Sequence, residues 1–492
     1  MIVASLPATR AAEAPHAPAL RDDELELDNA GLDAAVTAAA ARLRDQGVGR
    51  GDVVGLLLPN RAALIIALLA SWRLGAAVTP INPVLTDAEV AHQATDAGAT
   101  VLVTADGGSP VEGIAGVGVD DLGIGGPAPA DPPPAVDVAP TDLALLIYTA
   151  GTTGKPKGVM TSHGNIDAMT ESFIEHFSFT ADDHSLLVLP LFHANGVVLG
   201  TLTPLRAGGQ ATIVGRFKAD TFFAAVEKHR PTYFSAVPAI YAMLTALPAE
   251  VKPDTSSLRL VVCGAAPMPA ELIAKFEQRY GVPLVEGYGL SETTTASSIN
   301  PVEGLRKPGT VGTVLPGQQI KIAAENGAEA APGEAGEVLI KGPVVMQGYL
   351  NRPEDTAKVL VDGWLHTGDV GRFDEDGYLV LVDRVKDMII RGGENIYPKE
   401  IEAAIYENPD VFETAVVARP HDVLGEVPLA YVAFNEGATT TPESLLAELA
   451  GKLGKFKLPV EVLVLDEIPK NPVGKIDKPT LRKLPQTAGR AG

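Results

Sequence analysis

The chain has 492 residues, of which 46% are hydrophobic and 20% are charged, so it is long enough for one large and one small globular domain. Its formal net charge of −22 argues against nucleic acid or an anionic membrane surface as a main partner. The single cysteine, Cys263, excludes an internal disulfide framework and a cysteine-rich zinc site. Because it follows an apolar run, Leu260-Val261-Val262, we expect a buried and inert thiol.

The N-terminal stretch lacks a basic region followed by a sustained apolar run, so no signal peptide is predicted. The longest apolar helix candidate, Ala62–Trp72, is too short to span a bilayer, which needs about 20 residues. It is flanked by Arg61 and Arg73 and is predicted to be a core helix. These features favour a cytoplasmic protein without a membrane span.

From Val53 onward, apolar runs of strand length alternate with helical patterns. This alternation is typical of parallel sheets with crossover helices. The predicted strands are Val53–Leu58, Ala77–Pro80 and Thr100–Thr104, and the predicted helices are Arg61–Leu74 and Asp87–Asp96. The proline-rich stretch Gly123–Pro140 follows and is predicted to be an extended surface connection.

A glycine-rich stretch, Tyr148–Val159, follows the predicted strand Leu143–Ile147 and reads Y-T-A-G-T-T-G-K-P-K-G-V. Glycine lets backbone N–H groups turn toward an anion, and threonine hydroxyls and lysine ammoniums add donors. Such a loop at the end of a strand is where α/β sheets bind phosphate. It is not the ordinary P-loop, G-x-x-x-x-G-K-[ST], because Pro156 takes the Ser/Thr position. A surface loop rich in turn-forming residues is the structural alternative.

A second alternating block follows the glycine-rich stretch. Its predicted strands are Ser185–Leu189, Ala211–Val214, Thr232–Val237 and Leu258–Cys263, and its predicted helices are Ala219–Lys228, Pro238–Leu247 and Pro269–Tyr280. Three loops of this block carry distinctive residues: P-L-F-H-A-N-G from Pro190, G-A-A-P from Gly264 and E-G-Y-G-L-S-E-T from Glu286. Small residues let a ligand approach the backbone, an aromatic ring suits a nucleobase, and a carboxylate beside phosphates suits Mg²⁺. For the third loop, a turn with a packed tyrosine is the alternative.

The last part of the chain combines acids and glycines in short motifs. These are G-W-L-H-T-G-D at Gly363–Asp369, D-R-V-K-D at Asp383–Asp387 and R-G-G-E-N-I at Arg391–Ile396. Acidic side chains are well suited to accept hydrogen bonds from ribose hydroxyls. The pattern from Asp387 onward favours a separate α+β domain of about 100 residues. Its basic end, Pro469–Lys478, has a solvated lysine cluster as its alternative interpretation.

Taken together, these motifs resemble in kind and order those of the adenylate-forming superfamily, which includes acyl-CoA synthetases, adenylation domains and firefly luciferase. The resemblance extends from about Val53 to Lys478. The family usually has serine where this chain has Ala150, which removes one hydroxyl from the phosphate loop. The resemblance implies an α/β fold with a large N-terminal domain of stacked α/β sheet subdomains, residues 1–385. It also implies a small mobile α+β C-terminal domain, residues 386–492.

The implied activity is an ATP-dependent acid–thiol ligase that uses Mg²⁺ and coenzyme A. A carboxylate attacks the α-phosphate of ATP to give acyl-AMP, and a thiol then attacks the acyl carbon. The residues implied to bind nucleotide are Thr149, Thr152, Thr153 and Lys157 for the β- and γ-phosphates, Ser291 for the α-phosphate, Gly264, Ala265 and Tyr288 for adenine, and Asp369 and Arg384 for ribose. Glu292 is implied to ligate Mg²⁺.

Catalytic roles are implied for a further group of residues. Lys475 would bridge the carboxylate and the α-phosphate, where it stabilises charge that is shared in the transition state. Lys386 falls at the hinge about which the small domain would turn. That turn would bring Gly392-Gly393 to the thiol channel, where a narrow passage leaves no room for side chains. His193 would act near the acyl or pantetheine path, with a structural histidine as the alternative.

The residues also bear on which acid is activated. Amino-acid adenylation domains carry an aspartate where this chain has His193, so an α-amino acid is disfavoured. The predicted pocket segments are small or apolar: Asn195–Leu199, Ala236-Val237, Gly264–Ala266 and Gly287–Leu290. This composition favours a fatty or other apolar acid and leaves aryl acids such as coumarate as an alternative.

Three rival classes share parts of this pattern. One is a fatty acyl-AMP ligase that loads an acyl carrier protein, the second a luciferase-like oxygenase, and the third a nucleotide-binding module without activity. Retention of Glu292, Asp369, Arg384 and Lys475 argues against the third. The predicted partners are the acid and coenzyme A, and both a monomer and a homodimer are compatible with the sequence.

Overall fold

The chain divides into two compact units in the computed structural model. The structure describes residues 2–149, 156–324, 327–384, 387–391, 394–421, 423–470 and 476–484, without the side chains of residues 384, 394 and 395. The first unit consists of Met1–Lys321, Leu339–His366 and Gly377–Leu379. The second consists of Ile322–Val338, Thr367–Asp376 and Val380–Gly492. Residues 385 and 386, where the sequence predicts the domain boundary, lie outside the described residues.

A seven-stranded sheet of the first unit carries the glycine-rich hairpin. In spatial order its strands are Gly348–Tyr349, Lys157–Ser162, Leu143–Thr149, Ala77–Pro80, Val53–Leu57, Ala99–Thr104 and Ala115–Gly118. The last five run parallel, as the alternating pattern predicts, and the first two are antiparallel to their neighbours. The glycine-rich stretch therefore turns the chain back at the edge of a parallel sheet, where ligands bind in such folds.

A nine-stranded sheet of the same unit carries the other three loops. In spatial order its strands are Thr313–Val314, Ser298–Ile299, Leu284–Tyr288, Leu260–Cys263, Tyr233–Ala236, His184–Leu187, Gln210–Ile213, Pro18–Arg21 and Glu26–Asp28. Its six middle strands run parallel. The loops that begin at Pro190, Gly264 and Gly289 therefore leave the carboxyl ends of three parallel strands on the same sheet.

Helix Ala62–Arg73 is the central element of the first unit, because all twelve of its residues are buried. A helix that is apolar all round belongs inside a core. Its neighbours in one continuous apolar cluster include Val54, Leu145, Val262 and Val285, which come from both sheets. The indole N–H of Trp72 donates to the backbone oxygen of Ala144 at 2.8 Å, so this polar group is satisfied within the core.

The second unit has its own sheet and apolar core. In spatial order the sheet contains Glu394–Ile396, Ile389–Arg391, Gly425–Phe434 and Val411–His421, with Val462–Val464 also paired to Gly425–Phe434. Helices Pro398–Tyr406 and Pro442–Ala450 contribute Ile401, Ile405, Leu445 and Leu449 to the core. A further five-stranded sheet is formed by Gln319–Ala323, Gly336–Lys341, Trp364–Phe373, Leu360–Val361 and Leu379–Arg384.

The remaining α-helices are Leu6–Glu13, Asn29–Asp45, Asp87–Asp96, His163–Phe177, Ala194–Val197, Thr203–Arg206, Ala219–His229, Pro238–Thr245, Ala270–Tyr280, Pro353–Val359 and Lys478–Leu481. Within the described ranges, no helix combines the length and apolar character needed to cross a bilayer. The predicted α/β class is confirmed, and most predicted elements lie within two residues of the observed ones. The sequence interpretation assigned nothing to Leu6–Glu13, Asn29–Asp45 and His163–Phe177, so these three helices were missed.

Candidate active site

The glycine-rich stretch forms an antiparallel hairpin in which Thr149 pairs with Lys157 and Tyr148 with Gly158. Residues 150–155, including Thr152 and Thr153, lie outside the described residues. The phenol of Tyr148 donates to Asp96 Oδ2 at 2.8 Å. A Cβ at Gly158 would lie only 3.1 Å from the ring of Tyr148. Glycine at this position therefore lets the tyrosine cross the hairpin and anchor its base to helix Asp87–Asp96.

Lys157 forms a cluster with an acid and an aromatic ring that the sequence analysis did not single out. Its Nζ lies 2.7 Å from Asp355 Oδ2 and 5.1 Å from the centroid of the Tyr349 ring. Hydrogen bonding to Lys157 is the main cause that lowers the pKa of Asp355, so the acid is a carboxylate near neutral pH. The predicted phosphate-binding lysine is thus charge-paired within the first unit.

Glu292 joins the same cluster through Tyr349. The phenol of Tyr349 donates to Glu292 Oε1 at 2.8 Å, and the backbone N–H of Met346 donates to the backbone oxygen of Glu292, also at 2.8 Å. Burial, followed by the charge of Glu292, raises the pKa of Tyr349, which therefore stays a protonated donor. Tyr349 in turn pairs with Val159 in the hairpin strand that begins at Lys157. One segment therefore fixes the position of the predicted metal ligand relative to the glycine-rich hairpin.

Ser291 and Glu292 begin a short 3₁₀ turn, Ser291–Thr293, directly after the strand that ends at Tyr288. Thr294, which caps this turn, has a positive φ of 64°, and its hydroxyl donates to the backbone oxygen of Val344 at 2.7 Å. A positive φ is costly for a β-branched residue and is retained only where the surroundings enforce it. Tyr288 itself is largely buried.

The G-A-A-P loop is held at both ends. It leaves strand Leu260–Cys263, and the backbone N–H of Met268 donates to the carboxylate of Glu286 at 3.0 Å. Ala265 has a φ of 71°, in the region that favours glycine, and it is exposed. Backbone strain at an exposed loop position is typical of ligand sites. The thiol of Cys263, just before the loop, is buried, as predicted, and this burial raises its pKa.

His193 precedes a helix whose geometry changes along its length. Ala194–Val197 is α-helical, Val198–Leu202 is a π-helix, and Thr203–Arg206 is α-helical again. The phenol of Tyr233 donates to the backbone oxygen of Leu199 at 2.7 Å, and the hydroxyl of Thr203 donates to that of Val198 at 2.8 Å. These hydroxyls satisfy carbonyls in the wide turn, and such turns are frequent at functional sites. His193 is half-buried, with its ring centroid 4.6 Å from that of Phe192.

The other predicted site residues belong to the second unit. Asp369 is buried in strand Trp364–Phe373, and its backbone N–H donates to the hydroxyl oxygen of Thr367 at 3.0 Å. Arg384 ends strand Leu379–Arg384. The buried carboxylate of Asp383 accepts from the backbone N–H of Lys399 at 2.9 Å, which fixes the start of helix Pro398–Tyr406. Lys386, Gly392, Gly393 and Lys475 lie outside the described residues.

The match to known protein families shows to which class of enzyme the chain belongs. Residues 8–350 match the family of AMP-binding enzymes, and residues 400–475 match the AMP-binding enzyme C-terminal domain. The chain belongs to the AMP-binding enzyme family. Together with its relatives, the match identifies an AMP-forming acid–CoA ligase of the adenylate-forming superfamily, as the motifs predict.

Similar proteins span this AMP-binding enzyme almost end to end. A feruloyl-CoA synthase from an Amycolatopsis species is 38% identical over 482 residues, covering 97% of this chain and 98% of its own. An indoleacetate–CoA ligase from Aromatoleum aromaticum is 37% identical, covering 95% and 94%. The crystal structure of ATP-bound MatB from Rhodopseudomonas palustris has a TM-score of 0.91 at 32% identity, covering 98% and 99%.

Sequence reasoning missed Tyr349, Asp355 and Asp96 in this AMP-binding enzyme. The available signal was the segment Gly348-Tyr349-Leu350, an aromatic residue beside a glycine just before the proline that starts helix Pro353–Val359. No spacing rule links that segment to Lys157 or Glu292. Only the pairing of Tyr349 with Val159 brings them together.

Two glycines of the site provide a matched pair for a stability prediction. A Cβ at Gly289 would lie 2.2 Å from the backbone oxygen of Thr295 and 2.3 Å from Cα of Ala296, whereas a Cβ at Gly264 would meet only the backbone oxygen of Gly287 at 3.6 Å. We expect Gly289→Ala to lower the free energy of unfolding by about 2–4 kcal/mol, and Gly264→Ala by less than about 1 kcal/mol. Urea titration followed by circular dichroism measures both values. Equal losses would contradict the packing described for Gly289.

Proposed function

We propose that this ligase activates an apolar monocarboxylic acid to acyl-AMP and transfers the acyl group to coenzyme A. The observation that carries the proposal is the cluster of Lys157, Tyr349 and Glu292, which joins a cation and a carboxylate from two distant motifs. A magnesium-bound triphosphate requires both groups, because an ammonium neutralises phosphate oxygens and a carboxylate ligates the metal. One carboxylate fits Mg²⁺, which is usually held by one or two carboxylates together with substrate phosphates.

In the first step, a carboxylate oxygen of the acid forms a bond to the α-phosphorus, and pyrophosphate leaves. Both reactants are anions, so catalysis is mostly positioning and charge neutralisation. Magnesium, when bound, would supply part of that neutralisation, with Glu292 holding it. The remaining proposed roles are Thr149, Thr152, Thr153 and Lys157 on the β- and γ-phosphates, Ser291 on the α-phosphate, and Lys475 between the α-phosphate and the carboxylate.

In the second step, the thiol sulfur of coenzyme A forms a bond to the acyl carbon, the thiol proton is lost, and AMP leaves. The nucleotide is proposed to stay in place through both steps, with Gly264, Ala265 and Tyr288 at adenine and Asp369 and Arg384 at ribose. Residues 386–492 are proposed to act as a separate domain that turns at Lys386 and presents Gly392-Gly393 to the thiol. His193 is proposed to border the path of the acyl group.

The acid is proposed to be apolar because the wall segments carry no charge. Asn195–Leu199, Ala236-Val237, Gly264–Ala266 and Gly287–Leu290 contain no lysine, arginine or histidine. A second carboxylate on the substrate would therefore be desolvated without a counter-ion from these segments, which costs several kcal/mol. Saturated fatty acids and aryl acids both satisfy this condition.

A hydroxylated aryl acid is the second candidate, favoured by two buried polar atoms. Among the described residues, neither Asn195 Oδ1 nor the hydroxyl of Ser235 has a hydrogen-bond partner. Ser235 lies two residues beyond Tyr233 in the same strand, an advance of about 6.6 Å on the same face. The hydroxyl of Tyr233 contacts Leu199. Asn195 lies four residues before Leu199, so the two residues are separated by about 6 Å along the helix axis. A ligand hydroxyl at this level could satisfy both atoms.

An acid panel tests both candidates. Initial rates are measured with ATP, Mg²⁺ and coenzyme A for C2–C18 fatty acids, cinnamate, 4-coumarate and malonate. We expect the best apolar acid to exceed malonate by at least about 100-fold in kcat/KM, and equal rates would refute the apolar wall. If the hydroxylated candidate is correct, 4-coumarate exceeds cinnamate, and Asn195→Leu reduces that ratio about tenfold. An unchanged ratio in the variant removes this candidate.

A further inference from the structure

Asp355 occupies an unusual place for an acid, because it pairs with the lysine proposed to bind phosphate. The Asp355 carboxylate lies on the first turn of helix Pro353–Val359, with 26% of its side chain exposed, and Lys157 is 15% exposed. A triphosphate that contacts Lys157 through its β- or γ-phosphate would bring several negative charges next to this carboxylate. Like charges at such short range repel each other strongly, because the effective dielectric near a protein surface is lower than that of water. Carboxylate and phosphate therefore compete for one ammonium.

The two oxygens of Asp355 have different partners. Oδ2 faces Lys157 at 2.7 Å, and Oδ1 faces Lys358 Nζ at 3.4 Å, three residues further along the same helix. Lys358 has 72% of its side chain exposed. If Lys157 turns to another anion, the carboxylate keeps a cation beside it and does not become an isolated charge. The pair can therefore open at lower cost than an ion pair without a second partner.

Tyr349 gives Lys157 a position that does not depend on Asp355. The Lys157 ammonium lies over the Tyr349 ring, whose hydroxyl is bound to Glu292. A cation held over an aromatic face can exchange one anionic partner for another while its stem stays in place. The chain thus provides a fixed ring and an exchangeable carboxylate.

We propose that Asp355 is the resting counter-ion of Lys157 and that the phosphates of ATP displace it. The carboxylate neutralises the ammonium in the absence of nucleotide and lowers the affinity for ATP and pyrophosphate by competing with them. This proposal deepens the proposed function and rests on the phosphate-binding role of Lys157. Asp355 is proposed to act only through its ion pair with Lys157.

The test compares Asp355→Asn with Glu354→Gln, which removes the same charge from the exposed neighbouring residue. Dissociation constants of ATP, pyrophosphate and AMP are measured by calorimetry without acid. We expect Asp355→Asn to bind ATP and pyrophosphate about three- to tenfold more tightly and AMP unchanged, because AMP lacks the β- and γ-phosphates. Glu354→Gln should remain within about twofold of the unchanged enzyme for all three ligands.

Three results would overturn the exchange: weaker ATP binding by Asp355→Asn, unchanged ATP binding by this variant, or equal tightening by Glu354→Gln. Weaker ATP binding by Asp355→Asn would mean that the ion pair holds Lys157 in the position needed to bind phosphate. Equal tightening by Glu354→Gln would mean that any loss of negative charge near the site raises the affinity for ATP. The variant Lys157→Ala distinguishes a failure of the counter-ion exchange from a failure of the phosphate-binding role of Lys157, on which the exchange depends. Normal ATP affinity in Lys157→Ala would remove the phosphate role itself. Reduced affinity there, together with unchanged affinity in Asp355→Asn, would remove the exchange alone. In the Lys157→Ala background, Asp355→Asn should no longer tighten ATP binding.

Discussion

Replacing Glu292 by glutamine is expected to lower the rate of acyl-AMP formation by about 10²-fold or more, equivalent to about 3 kcal/mol of transition-state stabilisation. Glutamine keeps the size of the side chain and an acceptor for the Tyr349 hydroxyl but lacks the charge that a Mg²⁺ ligand supplies. The measurement is acid-dependent exchange of labelled pyrophosphate into ATP across a range of Mg²⁺ concentrations. Glu303→Gln, an exposed site in the same unit, is the control and should retain the rate.

Tyr349→Phe sharpens this prediction, because it leaves the carboxylate of Glu292 and removes only the hydrogen bond that orients it. Loss of a group that orients a metal ligand typically costs 10–100-fold in metal affinity. The Mg²⁺ concentration for half-maximal exchange should therefore rise about tenfold, with the rate at saturating Mg²⁺ largely restored. If Glu292→Gln retained a normal rate, or if Tyr349→Phe lost rate equally at all Mg²⁺ concentrations, the proposed metal role of Glu292 would be wrong.

Replacing Lys475 by alanine should separate the two half-reactions. Acyl-AMP formation should fall by about 10²–10³-fold, because a charge placed to stabilise the transition state is removed. Thioester formation from supplied acyl-AMP should stay near the rate of the unchanged enzyme. Gly393→Leu is the matched variant and should do the reverse, since its side chain would fill the channel proposed for pantetheine. Both half-reactions are followed by mass spectrometry of acyl-AMP and acyl-CoA.

The contradicting results are distinct for each variant. Equal loss of both half-reactions in Lys475→Ala would show that the lysine supports the fold or a shared step. Normal thioester formation in Gly393→Leu would remove the channel proposed at Gly392-Gly393.

The alternating elements of the first unit were predictable because each has a single dominant signal. Strand Ala77–Pro80 and helix Asp87–Asp96 have the predicted bounds, the helix because Thr86 and Glu89 form a capping box. Helix Asn29–Asp45 was missed because alanine, at seven of its seventeen positions, gives little apolar periodicity, although Asp28 caps its start. Helix Ala194–Val197 and the π-turn after it depend on hydroxyls contributed by Tyr233 and Thr203, which no local pattern reveals.

The candidate site also contains some residues that could be predicted from the sequence and others that could not. Glycine-rich and acidic loops at strand ends could be found from composition alone, because parallel strands place their carboxyl ends at one edge. Tyr349 and Asp355 could not be found from composition. The position of Tyr349 depends on its strand pairing with Val159, and the role of Asp355 depends on an ion pair with Lys157 from a distant segment. The neighbours of a charged group, which determine its pKa and its availability, are a tertiary property.

The most direct test of the central claim combines the purified protein with ATP, Mg²⁺ and the acid panel, each acid with and without coenzyme A, and detects AMP, acyl-AMP and thioester by mass. An AMP-forming acid–CoA ligase should give AMP and a thioester only when both an acid and coenzyme A are present. Acyl-AMP that accumulates without thioester in the presence of coenzyme A would contradict the claim and indicate a ligase that loads a carrier protein.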